Sequence, residues 1–389
     1  MANYEKRGNK WRYRISLGKN SNTGKYEYIS KSGFARKSDA KNHAEMVERQ
    51  IRNGEYIAPS THTFNFVANE WINHYSRDAK VSSVRAREKA IYHAKKLFGN
   101  RSIQTITKRD YQAFVDNIST RFSKNYVDSI ISSTNLIFKY ALDMKIIAKS
   151  PIEGIKRTKF KPTVEDLEQN SLQQKFLEKD ELFEFLSVAK NHHKPLNSFE
   201  LFTFLAYSGM RAGEVLALKW SDIDYEECTV SITKTYYNPN NNKKNYQILT
   251  PKTESSIGKI SIDPNVIKLL QDYKVNVQAK WKNELYVDND FIFTDNNGYP
   301  LVIKKLSQWI QAIMLQTNID KNITTHSFRY THCSLLIEAG VHIKEIQERL
   351  RHKDINTTMN IYAKITESYK KDASQKFSKL MENVSKELF

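Results

Sequence analysis

Six polar side chains spread over the second half of this 389-residue chain could together act on a phosphodiester. They are Arg211 in Ser208-Gly209-Met210-Arg211-Ala212-Gly213-Glu214, Lys252 in Thr250-Pro251-Lys252-Thr253, His326 and Arg329 in His326-Ser327-Phe328-Arg329, and finally His352 and Tyr362. Two guanidiniums, one ammonium, two imidazoles and a phenol suit a pentavalent phosphorane with a covalent tyrosine intermediate. Arginine offers a planar fork for two phosphate oxygens. Lys252 lies between two strand-like runs, where a mobile hairpin can carry its ammonium to a leaving oxygen and protonate it. A phenol is a poor nucleophile at its ordinary pKa near 10, so it needs cations and a base nearby.

Each residue has a plainer reading beside the chemical one. Gly209 and Gly213 flank Arg211 and allow the backbone to approach a ligand closely, but a turn between two helices explains them equally. Glu214 either orients Arg211 or is a first-turn acid favoured by the helix dipole. Thr325 is expected to cap a helix that Gly340 closes, which puts His326 and Arg329 on one face near an N-terminus that favours phosphate. His332, beside Cys333, Leu335 and Leu336, reads as a packing residue, and His342 as a surface one. His352 follows a helix over 343–350, and Thr357 and Thr358 can cap the short helix that presents Tyr362. Tyr362 is one of 21 tyrosines with Ile361 and Ala363 as neighbours, so a core position is its alternative.

The elements ahead of these residues carry the charge. Of the formal +18, residues 1–60 hold +7, residues 61–160 hold +10 and the remainder +1. That asymmetry implies a phosphate-binding surface in the first two fifths, with a solvated or membrane-surface patch as the alternative. The N-terminus lacks an apolar leader and no run approaches a membrane span. Cys228 and Cys333 form neither a disulfide framework nor a zinc spacing. A soluble, cytoplasmic protein is expected.

Residues 1–55 alternate as a miniature sheet. Trp11–Leu17 has the period of a half-buried strand, Tyr26–Ile29 returns after a Gly/Asn/Ser turn, and Ser32–Phe34 suggests a third strand. Ser38 is expected to cap a helix carrying Ala40, Ala44, Val47 and Ile51. Arg12 and Arg14 fall on the open face, which could enter a DNA groove. After Pro59, four helices read from Thr63 to about Ala148: one with Phe64, Val67, Trp71 and Tyr75, one from Val84 to Phe98, one after Thr107 and one after Ser123. Lys156, Arg157 and Lys159 open a basic linker, placed to run near a phosphate backbone. Beyond it, helices over 179–189 and 198–207 precede strand-like runs at 229–235, 247–249 and 259–262, and the rest is mostly helical.

The order Arg, Lys, His-x-x-Arg, His, Tyr in these contexts resembles the tyrosine recombinase (phage integrase) family. It is most similar to the larger integrases of temperate phages and conjugative transposons, through residues 206–220, 324–339 and 348–363. The resemblance implies a multidomain, mainly α protein with small β-sheets. Residues 1–58 would be an arm-type DNA-binding domain, 62–155 a helical core-site-binding domain, 156–175 a linker, and 176–389 a mixed α+β catalytic domain. Arg211 and Arg329 would clamp the scissile phosphate, Lys252 would protonate the 5′-hydroxyl, His326 would assist proton transfer, His352 would hydrogen-bond the phosphate, and Tyr362 would attack. No cofactor is implied, because the phosphotyrosine conserves the bond energy for religation, and no metal, because the inventory supplies no carboxylate cluster for two-metal catalysis. The partners implied are double-stranded DNA at core and arm sites, a homotetramer on synapsed DNA, an excisionase and DNA-bending proteins. Two positions depart from the pattern: Arg351 stands where glycine is usual, and Ser256-Ile257-Gly258-Lys259 where an arginine is common. A type IB topoisomerase, a metal-dependent nuclease and a catalytically silent DNA-binding regulator are the competing readings.

Overall fold

The computed structural model describes residues 2–19, 24–157, 175–191, 197–251, 254–278, 286–351, 354–356 and 358–359. The chain falls into two compact units, Met1–Lys161 and Pro162–Phe389.

In the first unit, β1 (Ala2–Arg7), β2 (Lys10–Lys19) and β3 (Tyr26–Phe34) form an antiparallel sheet in that order. Alternation puts Tyr13 and Ile15 of the central strand against Ala44 and Val47 of α1 (Lys37–Arg52). Arg12 and Arg14 occupy the other face, as their spacing predicts. There the Arg14 guanidinium lies 3.5 Å from the centre of the Tyr28 ring, and Arg12 donates to Ser30 Oγ at 3.1 Å. Two sequence expectations need correction. Ser32–Phe34 continues the strand begun at Tyr26, and the third strand is instead Ala2–Arg7. Its pairing with Lys10–Ile15 uses backbone groups that side-chain pattern does not report. Ser38 lies within the first turn of α1, where Arg36 holds the cap position without a side-chain bond.

The four helices that follow agree closely with their periodicity: α2 (Phe64–Tyr75), α3 (Val81–Phe98), α4 (Lys108–Ser119) and α5 (Lys124–Asp143). Thr63 caps α2 by accepting from the Phe66 amide. Thr107 and Asp110 cap α4 reciprocally, a box that satisfies two otherwise orphaned amides. Phe64, Phe98, Tyr111, Phe114 and Phe138 fill the centre with tilted and edge-on ring contacts.

In the second unit, α6 (Lys179–Asn191) and α7 (Ser198–Ser208) lead to α8, a single turn over Ala212–Val215. Strands β4 (Ile223–Asp224), β5 (Thr229–Ile232) and β8 (Gly258–Ser261) make one sheet, and β6 (Thr235–Tyr237) with β7 (Gln247–Leu249) another. The run expected at 229–235 therefore divides between two sheets. So does the hairpin expected around Lys252, because β7 pairs with β6 while β8 pairs with β5. Helices α9 (Pro264–Gln278), α10 (Ile303–Met314), α11 (Ser327–Glu338) and α12 (Ile343–Leu350) complete the described part. Phe328 in the first turn of α11 stacks on Phe202 at 5.2 Å and meets Phe185 edge-on, which seats that helix in the core. Among the described residues no helix is long and apolar enough to cross a membrane.

Candidate active site

The site begins where α7 ends. Gly209 takes a left-handed φ of +61° and turns the chain, so that Met210 is buried and Arg211 is extended. α8 then starts at once, and its third residue, Glu214, folds back on Arg211. The Glu214 carboxylate accepts from Arg211 Nη1 at 2.8 Å and from the Arg211 amide at 3.1 Å. Of the two readings of Glu214, orientation of Arg211 is thus the one the geometry carries, and the carboxylate also ends the orphan amide at the helix start. Arg211 Nη1 reaches Ser256 Oγ at 3.4 Å as well, which draws the segment between β7 and β8 up to the site.

Gly209 and Gly213 serve protein packing rather than ligand approach. A Cβ on Gly209 would lie 2.6 Å from the His332 ring and 2.9 Å from Leu350 Cδ2, and one on Gly213 2.8 Å from Thr235 Oγ1. Gly209→Ala combines that crowding with a positive φ. It is expected to lower stability by roughly 1–3 kcal/mol, read as a fall in the Tm of the full chain.

Arg329 enters from α11. Its side chain is buried, with Nη1 donating to the Gly209 carbonyl at 2.7 Å and Nη2 donating to the Leu350 carbonyl. It therefore ties the Gly209 turn to the end of α12. Burial, with Arg211 nearby, draws its pKa down to about 9, which leaves it charged at neutral pH. His326 holds the cap position of α11, and its ring meets Tyr330 edge-on. Although its ring reaches solvent, surrounding protein withdraws enough water to push its pKa below the usual histidine range, and Arg329 and Arg211 add to that push. That shift favours the neutral imidazole, the form able to accept a proton. The expected Thr325 cap is not found. The helix starts two residues later, and the local bond runs from the Thr324 amide to Ser327 Oγ at 3.0 Å. Gly340, at φ +78°, closes α11 as expected.

His332 is a packing residue, with its whole hydrogen-bonding capacity used. Arg349 Nε donates to its Nε2 at 2.9 Å, so the proton sits on Nδ1 and is donated to the Ala206 carbonyl at 2.8 Å. Burial, helped by Arg349, lowers its pKa to about 4. An unfolded histidine binds a proton near pH 6.5. The stability that this neutral ring contributes is therefore complete above about pH 6.5 and is lost as pH falls towards 4. The loss is expected to approach about 3 kcal/mol, and His332→Asn is expected to flatten the dependence of Tm on pH across that window. His342 is exposed, as its sequence position suggests, and it also caps α12 by accepting from the Lys344 amide at 3.3 Å.

Sequence reasoning missed one resident of this cluster. Arg351, immediately after α12, is buried, and its Nη2 donates to Glu214 Oε2 at 2.9 Å. Its departure from the glycine of the resembling family is the signal that could have found it. Arg211 and Arg351 thus share a single carboxylate, and Arg329 lies close enough to feel both Arg211 and Glu214, so three guanidiniums face one negative charge. Lys252, His352, Thr357 and Tyr362 lie outside the described residues, as does Lys159. Lys156 is exposed, its backbone held on both sides by the Gln112 amide at 2.8 and 2.9 Å, and Arg157 pairs with Asp128 at 3.3 Å. Cys333 is fully buried, and burial pushes its thiol up to about 12.

Three guanidiniums facing one carboxylate, with an imidazole nearby, suit a phosphate chemically, and they follow a basic helical bundle in the chain. That is the layout of a DNA strand-transfer enzyme. Three family models match: the phage integrase family over residues 175–368, an arm DNA-binding domain over 2–51, and the N-terminal SAM-like domain of phage integrases over 63–119. The prophage ps2 probable integrase of Lactococcus lactis subsp. lactis (strain IL1403) is 30% identical over 331 residues, 84% of this chain and 85% of the relative. The chain belongs to the phage integrase family, the tyrosine site-specific recombinases. Solved structures share the fold. The Tn1549 transposon integrase in complex with a circular intermediate DNA has a TM-score of 0.62 at 19% identity, over 77% of this chain and 95% of that one. A lambda integrase tetramer bound to a Holliday junction has a TM-score of 0.57 at 15% identity, over 92% of this chain and 96% of that one. The family, the enzyme class and the multidomain, mainly helical fold expected from the sequence are borne out.

Proposed function

We propose that this recombinase integrates and excises a mobile element by cutting DNA through a 3′-phosphotyrosyl intermediate. The observation that carries the reading is the Arg211–Glu214 pair with Arg329 and His326 close by. Arg211 and Arg329 stabilise the charge that develops on the non-bridging oxygens. Tyr362 attacks phosphorus, the bond to the 5′-oxygen breaks, and Lys252 delivers a proton to that oxygen. His326 moves the phenolic proton, and His352 adds a hydrogen bond to the phosphate. A second 5′-hydroxyl then attacks the phosphotyrosine, so strands exchange through a Holliday junction without an external energy source or a metal.

Residues 1–58 act on arm sites, with Arg12 and Arg14 on the exposed sheet face. Residues 62–155 grip the core site, and Lys156, Arg157 and Lys159 lie along the backbone in the 156–175 linker to the catalytic domain at 176–389. Two synapsed duplexes require four cleavages, which supports a homotetramer, as in the lambda integrase assembly. An excisionase and DNA-bending proteins set direction, and the enzyme works in the bacterial cytoplasm at the nucleoid. The test is a suicide duplex of the element's own attachment site, nicked near the cleavage point and incubated with the full chain in EDTA. A covalent protein–DNA band on a denaturing gel is the expected result. Tight binding with no band at any time would overturn the reading in favour of a DNA-binding regulator, and a cut appearing only with added metal would favour a nuclease.

A further inference from the structure

Arg351 sits in a conformation that an L side chain rarely adopts, with φ +55° and ψ +44°. A glycine would relieve that strain at no steric cost, so the arginine must act through its side chain. That side chain is buried, 6% exposed, and it reaches Glu214 Oε2 at 2.9 Å. Its Nε and Nη1 are buried with no hydrogen-bond partner among the described residues. Leaving such donors unmatched is costly unless a ligand or a charge balance compensates. Glu214, itself 3% exposed, is engaged at both oxygens: Oε1 by Arg211 Nη1, Oε2 by the Arg211 amide and by Arg351.

The consequence for Arg211 is electrostatic as well as geometric. A carboxylate paired with Arg211 alone would orient that guanidinium and neutralise it together, which weakens any hold on phosphate. A second arginine on the same carboxylate keeps the orientation and restores the positive charge. Resting on the function proposed above, we infer that Arg351 is a positioning residue for DNA cleavage, which fixes Glu214 and returns to Arg211 the charge that Glu214 would otherwise cancel.

Single-turnover cleavage of the nicked attachment site tests this, with rate, DNA affinity and Tm measured on the same full-length proteins. Arg351→Gly relieves the backbone strain and two unmatched donors while removing one partner of buried Glu214, so it is expected to fold with a Tm close to that of the wild type and to bind the site normally. Its rate of covalent-complex formation is expected to fall by about tenfold. The rising limb of its pH–rate profile is expected to move to higher pH, because a cation that favours the phenolate has been removed. Arg351→Lys should recover most of the rate. In a Glu214→Gln background, Arg351→Gly should have little further effect, since the carboxylate it offsets is gone. Wild-type rate and pH profile in Arg351→Gly would overturn the inference. So would a slow variant with a lowered Tm, an unmoved pH profile and no rescue by lysine, which would make Arg351 a packing residue. Failure of the wild-type protein itself to form the covalent complex would instead remove the function proposed above.

Discussion

Tyr362→Phe is expected to abolish the covalent protein–DNA complex while leaving affinity for the attachment site unchanged. The substitution deletes one hydroxyl and keeps the ring, so on the function proposed above it removes the attacking oxygen. Loss of a sole nucleophile in a site whose other groups act on the same atom is expected to cost at least about 10⁴-fold in rate. The phenol depends on its surroundings to react at neutral pH, because its ordinary pKa is near 10. On the function proposed above, the positive charge of Arg211, Arg329 and Arg351, offset by Glu214 alone, is of the sign that would favour a phenolate. The check is the suicide duplex with both proteins, resolved on native and denaturing gels. A covalent band from the phenylalanine protein would sink the assignment and send the search to another of the 21 tyrosines.

The second large effect is expected at Arg329, where alanine should damage catalysis and stability together. Removing one phosphate clamp commonly costs about 10²–10³ in rate. Arg329 also donates to the carbonyls of Gly209 and Leu350 from a buried position, so alanine leaves two acceptors without donors and a cavity between α7, α11 and α12. A loss of about 2–5 kcal/mol follows from those two terms. Arg329→Lys should restore part of the stability and little of the rate, because an ammonium cannot span both carbonyls and a phosphate with a planar fork. Thermal unfolding and single-turnover cleavage of both variants check this. An alanine protein that melts like wild type would show that the two carbonyl bonds contribute nothing.

The sequence was most informative where local chemistry decides the structure. The four-helix segment follows its apolar spacing, and Thr107 and Asp110 announce the start of α4 because their side chains bond the amides beside them. It was least informative where a partner distant in the chain decides. Ala2–Arg7 is a strand because β2 pairs with it, and the Lys252 segment joins two sheets because β7 and β8 choose different partners. The site divides in the same way. Arg211, His326 and Arg329 were legible from residue type and context, and the fold does bring them together. The second partner of Glu214 was not legible, since no spacing rule connects positions 214 and 351.

Both acceptors that hold Arg329 belong to the main chain. Every amino acid carries the same carbonyl, so side-chain replacement at Leu350 cannot delete its half of the clamp, and at Gly209 the hazard is steric rather than chemical. Mutational drift in the partners is thereby buffered, and only changes that move the backbone itself are exposed to selection through the arginine. The buried cation is thus kept aligned by groups that the genetic code cannot alter.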